Sequence, residues 1–454
     1  MLASCAMLLA ELAPDRVIAW RHGNPVCAAG FLADVQRIAE RLPASGHAIN
    51  LCEDRYAFIA GFCAVAALGQ TTLLPSARAR QAIDDALGLH ADAYVISDLV
   101  LDPAPDALIV LPALTGTAGS HQNVLRAPDP AQTVAIGFTS GSTGRPKPNA
   151  KTWHGFAAGS RLNSAVLVES MRLERGQIAS IVATVPPQHM YGMEMSVLLP
   201  LFGPFAVHSA KPFYASDIVR ALSEVPAPRL LVTTPVHLRN LLAENVELPT
   251  IAAIVSATAA LDEALARMAE QRFGAPLIEL FGSTETCVIA HRRTALTRDW
   301  TVYSGVEIKP QPDGTLVNVA HLDAAVLLQD VVELVGPQRF RLRGRNADLL
   351  EIAGKRASLA DLTRRLLGLA GVVDGVVFQL DEAGASGVRR IAALVVAPGR
   401  TTAQLLTDLR EQVDPVFLPR PLRCVDALPR NETGKLPRSA LLAMIQHHAP
   451  PSLA

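Results

Sequence analysis

Apolar and polar positions follow two rhythms between about residues 134 and 280. Short aliphatic and β-branched runs predict strands, and segments with apolar residues at helical spacing predict helices between them. The predicted strands cover 134–139, 180–184, 205–208, 229–234, 251–256 and 276–280. Helices are predicted over 235–245 and 261–273, the second with Leu261, Leu265 and Met268 on its apolar face. This alternation predicts an α/β fold with mostly parallel sheets covered by helices.

The pattern changes after about Leu342. Helices predicted over 359–367 and 402–412 accompany apolar runs at 375–380 and 390–396, and a short final helix follows. These elements predict a small α+β domain, and the polar turn at 344–346 is its natural boundary. We therefore expect a large N-terminal domain over 1–343 and a small C-terminal domain over 344–454.

Composition and charge narrow the possible partners. The chain has 454 residues, half of them hydrophobic, and a formal net charge of −1. This composition excludes a mainly disordered protein, and the balanced charge predicts no non-specific nucleic-acid binding. The longest apolar run, 57–69, is too short to cross a bilayer, so we expect no stable membrane insertion. The six cysteines are scattered without metal-ligand spacing, which is typical of reduced thiols in a cytoplasmic enzyme.

The segment 139–147, TSGSTGRPK, carries the strongest chemical signal. Its hydroxyls, its glycines and a lysine suit the binding of phosphate oxygens, because glycine lets the backbone approach the ligand closely. A P-loop is excluded by its register, since Pro146 and Pro148 stand where that motif has glycine and a hydroxyl residue. A flexible Ser/Gly surface loop is the alternative. The candidate phosphate-binding residues are Thr139, Ser140, Gly141, Ser142, Thr143, Gly144 and Lys147.

This segment resembles the phosphate loop of the adenylate-forming superfamily, which includes acyl- and aryl-CoA synthetases. Further segments resemble that family's motifs in the family's order. They are PPQHMYG at 186–192, SATAAL at 256–261, FGSTE at 281–285, the pair Asp330 and Arg345, GKR at 354–356, and LPRNETGK at 428–435. Matching order and spacing, more than any single motif, identify the chain as a member of this family.

The resemblance implies ATP and Mg²⁺ as cofactors. The loop at 139–147 would hold the β- and γ-phosphates, with Phe281 and Gly282 also in the nucleotide site. Thr284 would donate to the α-phosphate, and Glu285 would bind Mg²⁺. Asp330 would accept hydrogen bonds from the ribose, assisted by Arg345. Lys435 would reach between the acid and the α-phosphate, and His189 would border the acid. The predicted acid pocket comprises His189, Tyr191, Thr233, Thr234, Ser256, Phe281 and Cys287.

Each of these residues also has a plainer interpretation when it is taken alone. Thr284 and Glu285 are typical of a helix start. Asp330 could be a solvated carboxylate at a strand end, and His189 a pocket-wall histidine without a chemical role. Lys435 follows a glycine turn, as many exposed lysines do.

Some positions depart from the family pattern. Pro148 and Gln329 stand where the family has glycine. Ala347 stands where the family often has Asp or Lys, and Glu351 stands where many members have Lys. The small domain of relatives rotates between two poses. These substitutions therefore bear on the timing of that rotation.

The resemblance implies an acid–thiol ligase. The enzyme would activate a small carboxylic acid as an acyl-adenylate and pass it to coenzyme A or to the phosphopantetheine arm of an acyl carrier protein. The stretch 351–362 and the Pro/Leu/Arg run near 418–423 resemble aromatic-acid ligases of aryl-polyene pigment pathways. This resemblance favours a hydroxybenzoate- or cinnamate-like acid and a carrier-protein acceptor. The alternatives are a ligase that stops at the adenylate and a non-catalytic nucleotide- or acyl-binding scaffold.

Overall fold

The strands predicted between residues 134 and 280 are neighbours in two largely parallel sheets. The computed structural model describes residues 13–75, 78–118, 127–140, 146–244, 246–312, 314–320, 322, 324–345, 349–352, 355–383, 389–431 and 434–447. The chain divides into two compact units. The first unit contains 1–297, 303–305 and 319–323, and the second contains 298–302, 306–318 and 324–454. The domain boundary expected at 343/344 falls inside the second unit and stays a prediction.

The first unit begins with alternating strands and helices. Its first elements are β1 (Val17–Arg21), β2 (Asn24–Cys27), α1 (Ala28–Ala39), β3 (His47–Asn50), α2 (Arg55–Ala67), β4 (Thr71–Leu74), α3 (Arg80–Leu89), β5 (Ala93–Ser97), β6 (Leu108–Val110), β7 (Thr133–Ser140), β8 (Pro146–Thr152) and α4 (Trp153–Met171).

The same alternation continues to the end of the first unit. These elements are β9 (Ala179–Ala183), α5 (Met190–Met193), a π-helical turn (Glu194–Leu198), α6 (Leu199–Phe202), β10 (Phe205–His208), α7 (Ala215–Ser223), β11 (Arg229–Thr233), α8 (Pro235–Ala243), β12 (Ala253–Ser256), α9 (Glu263–Phe273), β13 (Leu277–Ser283) and β14 (Cys287–Arg292).

One sheet of this unit runs β14-β13-β12-β11-β9-β10-β1-β2, and the other runs β6-β5-β3-β4-β7-β8. The pairs are parallel except for β1–β2, β13–β14 and β7–β8. Register aligns a row of fully buried aliphatic side chains across the first sheet, namely Val182, Leu231, Ile254 and Leu277. Strands with both faces covered need such continuous apolar runs, so the α/β prediction is confirmed.

Helix α9 shows how local sequence sets its bounds. The Asp262 carboxylate accepts the Leu265 N–H at 2.7 Å, and Gly274 ends the helix in the left-handed region at φ +65°. The expectation for Met268 is wrong, because this side chain is 52% exposed. Ala266 and Ala269 supply the buried face instead, with Leu265.

Helix α2 occupies most of the apolar run 57–69 and is buried almost throughout. It begins at an Asp54 cap, whose carboxylate accepts the Ala57 N–H at 2.9 Å. Among the helices that the structure describes, none has the length and apolar character needed to cross a bilayer.

The second unit contains separate small sheets. Its elements are β15 (Trp300–Val302), β16 (Val306–Gln311), β17 (Gly314–Val319), β18 (Val326–Leu328), β19 (Asp330–Gly336), β20 (Arg339–Arg345), β21 (Leu349–Ile352), β22 (Lys355–Ser358), α10 (Leu359–Leu367), β23 (Asp374–Ala383), β24 (Arg389–Val396), α11 (Thr402–Arg410), β25 (Leu422–Cys424) and α12 (Arg438–His447). Its strands pair as β19-β20-β15, β16-β17-β18, β21-β22 and β23-β24-β25. The predicted helices and strands after residue 359 are all present, within three residues at each end.

Candidate active site

The predicted phosphate loop connects the two strands of a hairpin. Strand β7 ends at Ser140, β8 begins at Pro146, and Thr139 lies opposite Lys147 in the antiparallel ladder. The Asn149 amide donates to the Lys147 carbonyl at 3.1 Å. The loop residues Gly141, Ser142, Thr143 and Gly144 lie outside the described residues, as do Ala347 and Gly354.

The FGSTE segment forms the end of a second hairpin. Strands β13 and β14 are joined by a turn at 284–286, so the helix-start interpretation of Thr284 and Glu285 is wrong. Phe281 and Gly282 lie in β13 where the register shifts. A Cβ on Gly282 would lie 2.2 Å from the Cys287 carbonyl oxygen, so only glycine fits this irregularity.

The two hairpins meet at the predicted nucleotide-binding residues. A Cβ on Gly137 would lie 2.8 Å from the Thr284 Cγ2 atom, so the bare backbone of β7 packs against the turn. The Lys151 ammonium, carried by β8, donates to the Glu285 carbonyl at 2.6 Å. Both Thr284 and Glu285 are half-buried. Two segments that are more than 130 residues apart along the chain therefore converge at one place.

The PPQHMYG segment lies against this junction. A Cβ on Gly192 would lie 1.9 Å from the Pro186 carbonyl oxygen, which explains the glycine six residues after the proline. The half-buried His189 precedes α5. The next residue, Met190, places its sulfur 3.8 Å from the Cys287 sulfur.

Predicted acid-pocket residues form a buried polar cluster at the carboxyl ends of β9, β11 and β12. The Tyr191 hydroxyl lies 3.0 Å from the carbonyls of Thr233 and Val255. The Thr234 hydroxyl lies 2.9 Å from the His237 Nδ1, and burial lowers the pKa of this histidine. The fully buried Ser256 hydroxyl has no hydrogen-bond partner within the described part of the chain. These groups are uncharged polar groups at the sheet edge where α/β proteins bind ligands.

Burial also disfavours the thiolate form of Cys287. Its side chain is 6% exposed, and desolvation raises the pKa of the thiol to about 12, helped by the nearby Glu194 charge. The residue has φ +60°, which is unusual for any residue other than glycine. Cys287 can therefore shape the site, but it cannot supply a thiolate there.

In the second unit, Asp330 and Arg345 are direct partners in the antiparallel pair β19–β20. Fifteen residues separate them in the sequence, and the hairpin brings them together. Asp330 is half-buried at the start of β19, where its carbonyl accepts the Thr315 hydroxyl at 2.6 Å.

Lys435 occupies an exposed turn of the second unit with defined backbone bonds. The Lys435 N–H donates to the Asn431 side-chain oxygen at 2.8 Å, and the Asn431 N–H donates to the Lys435 carbonyl at 2.8 Å. Arg430 binds the Gly434 carbonyl at 2.7 Å and both oxygens of Asp374 at 2.8 and 2.9 Å. Arg430, a residue of the LPRNETGK motif with no predicted role, thus anchors the turn to β23.

A family model described as AMP-binding enzyme matches residues 39–323, more than half of the chain. The chain belongs to the AMP-binding enzyme family. A 4-coumarate–CoA ligase of Halorhodospira halophila is 30% identical over 315 residues, which cover 66% of this chain and 73% of that protein. An indoleacetate–CoA ligase of Aromatoleum aromaticum is 25% identical over 384 residues, covering 74% and 72%.

The solved structures agree in fold. The o-succinylbenzoate coenzyme A synthetase MenE of Bacillus subtilis, in complex with ATP and magnesium ion, matches with a TM-score of 0.78 and 18% identity. The match covers 96% of this chain and 98% of that one. The predictions of the family, of the fold class and of an acid-activating ligase are confirmed by these matches. The roles of individual residues stay predictions.

The structure adds a residue of this AMP-binding enzyme that the sequence reasoning missed. Glu194 is 2% exposed at the start of the π-helical turn, and both its oxygens accept the Val288 N–H, at 3.2 and 3.1 Å. Burial raises the pKa of Glu194 to about 7, although the Val288 N–H, Asn163 and the Lys151 charge oppose the rise. The sequence signal for this residue was that Glu194 is the single charged residue in the mostly apolar segment 190–202. A carboxylate buried in such a segment requires hydrogen-bond partners, so it marks a specific interaction.

Proposed function

We propose that this AMP-binding enzyme is an acid–thiol ligase that works through an acyl- or aryl-adenylate. The observation that carries the proposal is the meeting of two hairpins, one flanking the phosphate loop and the other bearing Thr284 and Glu285. Gly137 favours this approach, because a Cβ there would lie 2.8 Å from the Thr284 Cγ2 atom and one of the two would have to shift. Separate hydroxyl, backbone and carboxylate groups are thereby available to one triphosphate.

ATP is proposed to lie along the junction of the hairpins. Residues 139–144 and Lys147 would bind the β- and γ-phosphates, and the Thr284 hydroxyl would donate to the α-phosphate. Phe281 and Gly282 would border the nucleotide, Asp330 would accept from the ribose hydroxyls, and Arg345 would assist from the neighbouring strand. The cross-strand pairing of Asp330 with Arg345 supports a joint role.

Glu285 is the proposed magnesium ligand. In the part of the chain that the structure describes, no three His, Cys, Asp or Glu side chains gather as a metal site. A protein site for Mg²⁺ needs only one or two carboxylates when phosphate oxygens complete the coordination. The half-buried Glu285 fits this requirement. When bound, the ion would neutralise phosphate charge during the reaction.

The first half-reaction joins two anions. An oxygen of the acid's carboxylate attacks the α-phosphorus, the bond from phosphorus to the β-bridging oxygen breaks, and pyrophosphate leaves. Lys435 is proposed to donate to the oxygens of the acid and of the α-phosphate as charge builds up. An ammonium on a flexible stem suits this position, because it can follow the moving oxygens. His189 is proposed to border the acid and to orient it.

The second half-reaction forms a thioester. The thiol sulfur attacks the acyl carbon, AMP leaves, and the thiol proton passes to solvent. Coenzyme A is the favoured acceptor, because the similar proteins are named as CoA ligases. The phosphopantetheine arm of an acyl carrier protein presents the same thiol and is the second acceptor to test.

An aromatic acid is the proposed substrate. Relatives named for 4-coumarate and indoleacetate support this class, and so does the uncharged polar cluster around Tyr191, Thr233, Thr234 and Ser256. Residues 1–343 are proposed to bind ATP and the acid, and residues 344–454 to carry Lys435. The scattered cysteines of the sequence support a cytoplasmic location.

ATP–pyrophosphate exchange across a panel of hydroxybenzoic, cinnamic and aliphatic acids tests this proposal. We expect exchange with at least one aromatic acid, dependent on Mg²⁺. Mass spectrometry of reactions supplied with coenzyme A, or with a carrier protein that bears a phosphopantetheine arm with a free thiol, then identifies the acceptor. Binding of ATP without exchange for any acid would favour a non-catalytic scaffold, and exchange without thioester formation would indicate a ligase that stops at the adenylate.

A further inference from the structure

The turn at 284–286 is short and irregular. Across it, the hydroxyls of Ser283, the last residue of β13, and Thr286 bond to each other at 3.2 Å, and the Thr286 N–H donates to the Ser283 hydroxyl at 3.2 Å. Cys287, the next residue, is held at φ +60°, a conformation that costs of the order of 1 kcal/mol or more for a residue with a side chain. Such a turn keeps one shape only where its surroundings enforce it.

Lys151 contacts the backbone of the turn. Its side chain is 5% exposed, and its ammonium donates to the Glu285 carbonyl at 2.6 Å. Burying an ammonium costs free energy, and a hydrogen bond to a neutral carbonyl leaves its charge uncompensated. A negatively charged group is therefore expected nearby. The backbone of the lysine is held in regular structure, because Lys151 lies in β8 one residue before Thr152, which ends the strand and caps α4.

Glu194 contacts the strand that follows the turn. Its carboxylate accepts the Val288 N–H and the Asn163 amide, the latter at 3.1 Å, and Asn163 in turn accepts the Tyr303 hydroxyl at 2.8 Å. The Glu194 and Lys151 charges act on each other electrostatically inside the first unit. Well-packed apolar residues often stabilise a core as well as buried charged groups do. Stability alone is therefore a weak reason for burying both Lys151 and Glu194.

We propose that Lys151 and Glu194 are paired positioning residues that hold the turn 284–286, Lys151 by the Glu285 carbonyl and Glu194 by the Val288 N–H two residues after the turn. The inference rests on the proposed function, in which Thr284 and Glu285 act on the nucleotide and magnesium. It extends that function to residues that touch neither. The π-helical turn beginning at Glu194 fits this role, since such turns often occur at functional sites.

The test uses Lys151→Met and Glu194→Leu, which remove one contact each, and Glu194→Gln, which keeps an acceptor of the same size. Lys211→Met, an exposed lysine of the same unit, is the matched control. If a single charge removal prevents folding, the double variant Lys151→Met/Glu194→Gln removes both charges together.

Two readouts are measured on the full chain. In the ligand-free protein, we expect amide hydrogen exchange over 283–288 to rise at least about tenfold in Lys151→Met and Glu194→Leu, because a local brace is lost. In ATP–pyrophosphate exchange, we expect kcat to fall about 10- to 100-fold and the half-saturating Mg²⁺ concentration to rise, since small misplacements of reacting groups are costly. Glu194→Gln should stay within about threefold of wild type in both readouts, and Lys211→Met should match wild type.

Variants that lose thermal stability but keep wild-type exchange over 283–288, wild-type kcat and wild-type Mg²⁺ dependence would overturn the proposal. A wild-type enzyme that exchanges pyrophosphate with no acid would refute the proposed function instead. The hydrogen-exchange readout would then still decide whether Lys151 and Glu194 hold the turn.

Discussion

Two turns carry the proposed chemistry, and they are held in different ways. The turn at 284–286 in the first unit is fixed by buried charged groups, Lys151 and Glu194, that belong to distant parts of the chain. The Lys435 turn in the second unit is fixed by Asn431 and by the Arg430–Asp374 pair, whose side chains are each 18% exposed. The first turn therefore depends on the core of its unit, whereas the second depends on local contacts near solvent.

This difference fits the proposed division of labour. Groups that bind phosphate and metal gain from a rigid, preformed geometry, because no reorganisation is then needed during the reaction. Lys435 is proposed to bind oxygens only while charge builds up on them. Such a lysine needs a defined turn, but it does not need a buried setting. Mutations should accordingly cost more stability around the first turn and mainly activity around the second.

The largest effect is expected at the base of the β13–β14 hairpin, which carries the turn 284–286. Glu279 and Arg292 are cross-strand partners in β13–β14, with a 2.7 Å contact and little exposure. Arg292→Leu leaves a buried carboxylate without its cation, so we expect a loss of about 3–5 kcal/mol in the free energy of unfolding. Urea unfolding measures it.

Arg267→Leu is the control for this change, because Arg267 pairs with Glu263 on an exposed face of α9. It should cost no more than about 0.5 kcal/mol. Equal losses in the two variants would remove the distinction between buried and exposed support on which the comparison depends.

The next effect concerns activity in the second unit. Lys435→Ala removes one donor to the transition state, so we expect adenylation to slow by about 10²–10³-fold. Transfer from preformed adenylate should stay largely intact, and the unfolding midpoint should not move. Rapid-quench measurement of each half-reaction checks this. Equal losses in both half-reactions would contradict the role assigned to Lys435.

The third effect is a pH dependence of stability from Glu194. Its pKa is raised from 4.5 to about 7 in the folded protein, so the native state binds more protons between these values than the unfolded chain does. Stability from this group is therefore lost as pH rises from about 4.5 to 7. Relative to wild type, Glu194→Gln should gain up to ~3 kcal/mol between pH 4.5 and 8, at about 1.4 kcal/mol per pKa unit.

Thermal or urea unfolding of both proteins across this pH range measures the difference. Burial raises the pKa of Cys287 to about 12 and that of Tyr303 well above its usual value, so neither group titrates in the folded protein over this pH range. A difference in stability that does not change with pH would show that Glu194 does not titrate in this range.

The smallest effect is expected from the anchor of the Lys435 turn. Asp374→Asn weakens a bidentate but partly exposed pair with Arg430, worth about 1 kcal/mol. Adenylation should therefore fall no more than about tenfold. Asp408→Asn, which weakens the Arg400 pair elsewhere in the same unit, should leave adenylation unchanged. A larger loss in the control than in Asp374→Asn would argue against a specific anchor.

The sequence predicted the elements well where its patterns were local. The strand at 205–208 and the helix at 359–367 match residue for residue, because each is set by contiguous apolar spacing. The prediction that Met268 lies on the buried face of α9 is wrong, because Ala266 and Ala269, which contribute little to an apolar pattern, supply that face with Leu265. The helix-start interpretation of Thr284 is wrong, because β13 and β14 pair as a hairpin around this residue. A Thr-Glu sequence typical of helix starts carries no information about such pairing between strands.

By itself, the sequence determined the α/β class, the family and the order of its motifs, since these depend on residue types at short spacings. Only the tertiary structure decided that Gly137 packs against Thr284, that Arg430 anchors the lysine turn, and that Lys151 binds the Glu285 carbonyl while Glu194 binds the Val288 N–H. The reason is physical. A buried charge is tolerated only where the fold brings it a partner, and that partner lies more than 90 residues away in the chain.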